Sequence, residues 1–80
     1  MTTLKFIGKD PGSDTKGSPT VFVEPSTADP VIQGWKADED TLSVCREPGY
    51  LPDHEAVVRL PARMIEIPRK ACDDAERAHL

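Results

Sequence analysis

The chain is short of almost everything that builds a large hydrophobic core. Among its 80 residues only Phe6, Phe22, Trp35 and Tyr50 are aromatic, so few side chains of large apolar area are at hand to bury. Cys45 and Cys72 are the only cysteines, too few for the disulfide framework that staples small secreted domains. No apolar run approaches the roughly 18 residues that a membrane-spanning helix needs, and no N-terminal stretch resembles a signal peptide. A cytoplasmic location with both thiols reduced is therefore expected.

Long uninterrupted elements are excluded as well, because eight prolines divide the chain into short pieces. Residues 1–80 make one small domain, and a chain of this size buries only about 60% of the surface that its unfolded form exposes. Burial and ordering entropy then nearly cancel, which implies thin stability or the help of a second chain. Net charge is −4, and it is unevenly spread. Glu24, Asp29, Asp38, Glu39, Asp40, Glu47, Asp53 and Glu55 face only Lys36 and Arg46 between residues 24 and 55. Free nucleic acid is a poor partner for such a region, whereas a basic protein surface suits it.

The residues that are present divide into strands and one helical segment. Thr2–Ile7 mixes β-branched and aromatic side chains and predicts a first strand. Residues 8–19, GKDPGSDTKGSP, predict a mobile loop. Its glycines and lysines lack the spacing of a phosphate-binding loop, and DPGSD lacks the further ligands of a calcium loop. Thr20–Glu24 and Val31–Ala37 predict a hairpin closed by a loop of about six residues, with Gly34 at a bulge or close approach. Segment 41–46 reads equally as a short helix led by Asp38, Glu39 and Asp40 or as a strand. Glu55–Leu60 predicts a fourth strand.

From Pro61 onward the pattern is helical. Met64, Pro68, Ala71, Ala75 and Ala78 form an apolar stripe with Ile65 and Cys72 beside it, and charged residues lie opposite. Pro68 costs about 3 kcal/mol in a helix interior but nothing in the first turn. The expectation is a turn or 3₁₀ piece at 61–64, then a helix to about His79 that begins or kinks at Pro68; a single kinked helix from Pro61 is the alternative. The fold class that follows is α+β: a small antiparallel sheet of three to four strands with a C-terminal helix packed on one face.

Strand alternation sorts the apolar residues. Leu4 and Phe6, Val21 and Val23, Val31 and Trp35, and Val58 and Leu60 take one side of their respective strands. Ile7, Phe22, Ile32 and Val57 take the other. One helix covers one side of a sheet, so apolar groups on the second side mark an interaction surface, for which Ile7, Phe22, Ile32, Trp35 and Val57 are the candidate residues.

Chemistry has little to build on. Cys45, Asp53, His54 and Glu55 could supply a thiol nucleophile, a base and an orienting carboxylate, making a small toxin or thiol-dependent enzyme using Cys45 and His54 the alternative reading. Cys45, His54, Cys72 and His79 lack the paired spacing of a zinc site, and Cys72 reads as a core residue. Arg59, Arg63, Arg69, Lys70 and Arg77 are interspersed with acids, so a solvated face is expected rather than direct nucleic-acid binding. No catalytic, metal or cofactor residues are assigned.

The succession TLKFIGKDP, GSPTVFVE, VIQGWKA and LPDHEAVVRLPARM resembles small uncharacterised actinobacterial proteins encoded beside helix-turn-helix regulators of the XRE type, over nearly the whole chain. The order of strand, hairpin, strand and Pro-led helix is more distantly similar to the BldB-like family. The resemblance implies no enzymatic activity. It implies a regulatory or antitoxin-like accessory role, with a helix-turn-helix regulator or a second copy of the chain as partner.

Overall fold

The computed structural model describes residues 2–12 and 18–79. The main sheet has three antiparallel strands in the order β1-β2-β3: β1 (Lys5–Lys9), β2 (Thr20–Glu24) and β3 (Asp29–Gln33). β-Branched Thr20, Val21 and Val23 suit the central strand, where both neighbours supply hydrogen bonds. The hairpin between β2 and β3 closes in four residues rather than six, because the Ala28 amide donates to the Glu24 carbonyl at 2.8 Å and Ala28 turns the chain at φ 63. That left-handed conformation favours glycine, and here alanine adopts it.

Segment 31–37 is two strands. At Gly34 the chain leaves the main sheet, and β4 (Trp35–Lys36) pairs with β5 (Val58–Arg59) in a separate ribbon. A Cβ on Gly34 would stand 2.9 Å from the Arg59 carbonyl oxygen, so the crossing needs glycine. The fourth strand is thus shorter than 55–60 and joins no edge of the main sheet. Between the ribbon strands lies α1 (Glu39–Arg46). Helix prevails over strand there because the Asp38 side chain caps it, accepting from the Thr41 amide at 2.8 Å, with Glu39 and Asp40 in the first turn where negative charge is favoured.

The C-terminal segment has a 3₁₀ turn at Ala62–Met64, which we label η1, then α2 (Glu66–His79). Pro68 is the third residue of α2, where its missing amide hydrogen breaks no intrahelical bond. The two-piece expectation describes this segment. α2 lies across all three strands of the main sheet. Met64, Ala71 and Ala75 pack with Val21 and Val23 as the buried core, and Ile7, Ala28, Leu60 and Ile67 border it. Small Ala71 and Ala75 let the helix come close to the sheet. Ile65 and Cys72 fall off the buried stripe and are exposed, so Cys72 is not the core residue that its spacing suggested.

Cross-strand partners share a face, and the observed register corrects the expected sorting. Lys5 pairs with Val23, Phe6 with Phe22 and Gly8 with Val21. The register shifts between Phe6 and Gly8, so Ile7 is a bulged residue that turns toward the helix side. Val31 pairs with Phe22 and Ile32 with Val21. Phe6, Phe22 and Val31 therefore occupy the side away from α2, while Ile7 and Ile32 belong to the α2 side. A one-residue slip moves side chains to the opposite face, and here it acts beyond Ile7: Gly8 pairs with Val21 and Lys9 with Thr20, which returns Lys9 to the side of Phe22.

The expected loop is partly ordered structure. Gly8 and Lys9 belong to β1, and Asp10, Ser18 and Thr20 are buried; residues 13–17 of that expectation lie outside the described residues. Asp10 ties the loop to η1. Arg63 donates from Nε to Asp10 Oδ1 and from a terminal nitrogen to Oδ2, each at 2.6 Å, and the Gly12 amide donates to Oδ1 at 2.9 Å. No buried side-chain polar atom among the described residues lacks a hydrogen bond.

Both free edges of the main sheet carry groups that discourage strand addition. β1 has Lys5, Lys9 and the bulge, and β3 has Pro30, the features that blunt edge-to-edge pairing.

Candidate interaction surfaces

The five candidate residues do not form one patch. Ile7 and Phe22 are half-buried, Ile32 and Trp35 are exposed, and Val57 is half-buried. Ile7 borders the core, and Ile32 sits on the α2 side in an edge strand. Phe22 lies at the centre of the opposite sheet face. Trp35 and Val57 belong to the ribbon. Two separate surfaces result.

The first is the sheet face away from α2. Phe6 and Phe22 meet edge to face with ring centres 6.2 Å apart, a favourable aromatic geometry. Phe6 is 58% exposed, and Val31 completes the row. α2 occupies the other side and α1 buries no residue, so no helix covers this row. Sequence reasoning missed Phe6 and Val31 because alternation within a strand does not say which residues of the neighbouring strands it pairs with, and the pairings Phe6–Phe22 and Phe22–Val31 decide the face.

The second surface is at the ribbon. The Arg59 guanidinium donates to Thr41 Oγ1 at 2.7 Å, which ties α1 to β5, and the Ala37 amide donates to the Val57 carbonyl at 3.3 Å. Between them lies an open groove of about 280 Å³ lined by Lys36, Ala37, Leu42, Leu51, Glu55, Ala56 and Val57. Leu42, Leu51, Ala56 and Val57 make its floor largely apolar. Val44 on α1 is 62% exposed, and Tyr50 beyond α1 is 84% exposed. The Thr41 amide holds the Asp38 carboxyl below the usual carboxylate range, so this capping group is ionised at neutral pH beside Glu39 and Asp40. A larger cleft of about 370 Å³ is formed by Thr2, Thr3, Glu24, Pro25 and Ser26; it brings together hydroxyls and one carboxylate, without a nucleophile and base.

Cys45 is exposed on α1 and His54 is exposed in the turn after residue 52. Neither makes a hydrogen bond to the other among the described residues, and Asp53 and Glu55 are also exposed. No cluster of three or more histidine, cysteine or acidic side chains suited to a metal ion occurs among the described residues. No described helix is long and apolar enough to cross a membrane.

The chain exposes 6151 Å², whereas a monomer of 8.8 kDa typically exposes about 4,800 Å². The surplus exceeds the ~800 Å² that one partner contributes to an interface of standard size. Compared with protein-family models, curated proteins and solved structures, the chain matches none.

Proposed function

We propose that this chain is a non-enzymatic protein-interaction module that acts as the partner of a helix-turn-helix transcriptional regulator and engages it through the ribbon end. The observation that carries the reading is α1. It is a capped eight-residue helix that buries none of its residues within the chain, beside an apolar groove bordered by Glu55. Isolated helices this short are marginal in water, so one that only half-buries Thr41 and Leu42 against the ribbon is suited to being completed by a second protein. Asp38, Glu39 and Asp40 add negative charge at its N-terminal end. Regulators that bind DNA carry concentrated basic surface, and complementary potential steers such a partner into place.

The test is a titration against helix-turn-helix regulators of the XRE type from the same genome, followed by calorimetry at two salt concentrations. Binding is expected, weaker at the higher salt, and weakened at least tenfold by Val57→Asp or by the pair Glu39→Lys and Asp40→Lys with the circular-dichroism spectrum retained. Absence of binding at 100 µM (roughly the weak limit for a specific encounter), or binding indifferent to both variants, overturns the reading.

A further inference from the structure

The sheet face away from α2 has a charge pattern that the ribbon-end reading does not use. Along this face the register places Lys9 opposite Thr20 at one end, Phe6, Phe22 and Val31 in the middle, and Glu24 opposite Asp29 at the other end. One end is basic, the centre is apolar and the far end is acidic. Lys9 and Asp29 are exposed, Glu24 is half-exposed, and neither Lys9 nor Asp29 is in a salt bridge among the described residues.

We infer that this face docks a second copy of the same chain. A two-fold axis lying between two such faces and running across the strands turns one copy end for end over the other. Phe22 then meets Phe22 near the axis, and the Lys9 end of each copy lies over the acidic end of its mate. The pattern is self-complementary, as an isologous contact requires. An unrelated partner would have to match both the aromatic row and the reversed charge polarity, whereas a second copy does so automatically. Stacking of this kind places two sheets about 10 Å apart with their inner side chains interdigitated. It uses a face rather than an edge, consistent with the lysines, bulge and Pro30 that guard the edges.

The extent of the face sets the strength. Three strands of five residues span roughly 17 Å by 14 Å, which is below the standard size of a specific interface and puts this contact among the weak, transient ones. A reversible dimer with a Kd on the order of 100 µM is expected. Failure of this dimer leaves the ribbon-end reading intact, since the two surfaces share no residue.

Sedimentation of the full chain from about 1 to 500 µM, a range that brackets such a Kd, tests the proposal directly. A monomer-dimer equilibrium is expected. Phe6→Glu, at an exposed position, should raise Kd at least tenfold with the far-UV spectrum unchanged. Lys9→Glu alone and Glu24→Lys alone should each raise it about fivefold, and the double variant should return it to within twofold of the parent. A monomer throughout the range, a dimer indifferent to these substitutions, or a double variant that adds the two losses instead of cancelling them, overturns the inference. Should Glu24→Lys disturb the hairpin, Lys9→Glu and Phe6→Glu decide the question by themselves.

Discussion

Arg63 clamps Asp10 through two parallel hydrogen bonds of 2.6 Å although 53 residues separate them in the chain. The Asp10 side chain is wholly inaccessible and Arg63 is about half exposed, so the guanidinium acts as a lid over a carboxylate that the Gly12 amide also holds. Planar bidentate pairing of this kind suits arginine and not lysine. The pair fastens η1 to the end of β1 and thereby sets where α2 begins on the sheet.

Stability should fall in acid, and Asp10 should account for much of the fall. The Arg63 hydrogen bonds hold its carboxyl below the ordinary value, and hydrogen bonding from Thr41 does the same for Asp38. A carboxyl whose pKa is depressed on folding contributes stability above its unfolded pKa, and that contribution is lost as pH drops through the folded value. Thermal melts from pH 7 down to pH 2 should therefore show a decline concentrated below about pH 4. Asp10→Asn should melt lower at pH 7 and follow a flatter acid profile than the parent. An unchanged acid profile in that variant would assign the decline to other groups. Arg63→Lys should also melt lower despite keeping the charge.

Gly8 should resist enlargement because of one neighbour. A Cβ there would stand 2.9 Å from Ile67 Cγ2, so Gly8→Ala is expected to destabilise by about 1–3 kcal/mol through overpacking. Combining it with Ile67→Ala removes Cγ2, Cγ1 and Cδ1, the three atoms that the new Cβ would crowd, and the double variant should be more stable than the sum of the single effects predicts. Urea unfolding of the four proteins in the cycle measures this coupling; strict additivity would show that the two side chains do not meet.

Losing the Asp38 cap should have a local rather than a global effect. Asp38→Ala removes the acceptor for the Thr41 amide, and hydrogen exchange in α1 should accelerate roughly fivefold, the usual scale of a lost cap. The melting temperature should hardly move, because α1 buries no residue in the chain and can open without exposing core. A large fall in melting temperature would mean that α1 is needed for the sheet to fold.

Much of the fold is legible in the sequence where chemistry narrows the choices. Pro68 fits a first turn or a kink, and the structure takes the first option, with Pro68 the third residue of α2. The Thr20–Glu24 strand follows from its β-branched run, and its bounds match those of β2. Segment 41–46 stays ambiguous in the sequence because Val, Thr and Cys tolerate both states; the Asp38 side chain decides it. The two surfaces are less legible. Phe6 and Val31 join Phe22 through the pairing register of the three strands, and alternation within one strand carries no information about its neighbour's register. The Asp10–Arg63 contact is invisible for a related reason: a loop aspartate and an arginine in a Pro-flanked turn carry no local sign that they meet.

The guarded borders of the main sheet constrain what assemblies this protein can form. Lysines and a kink on one side, and a proline on the other, leave no lateral template for adding strands indefinitely. A layer formed back to back through the inferred dimer face would use up the surface that makes it. Association of that kind would end at a closed pair instead of propagating into a fibre, which reconciles so slender a core with aromatic groups kept on the outside.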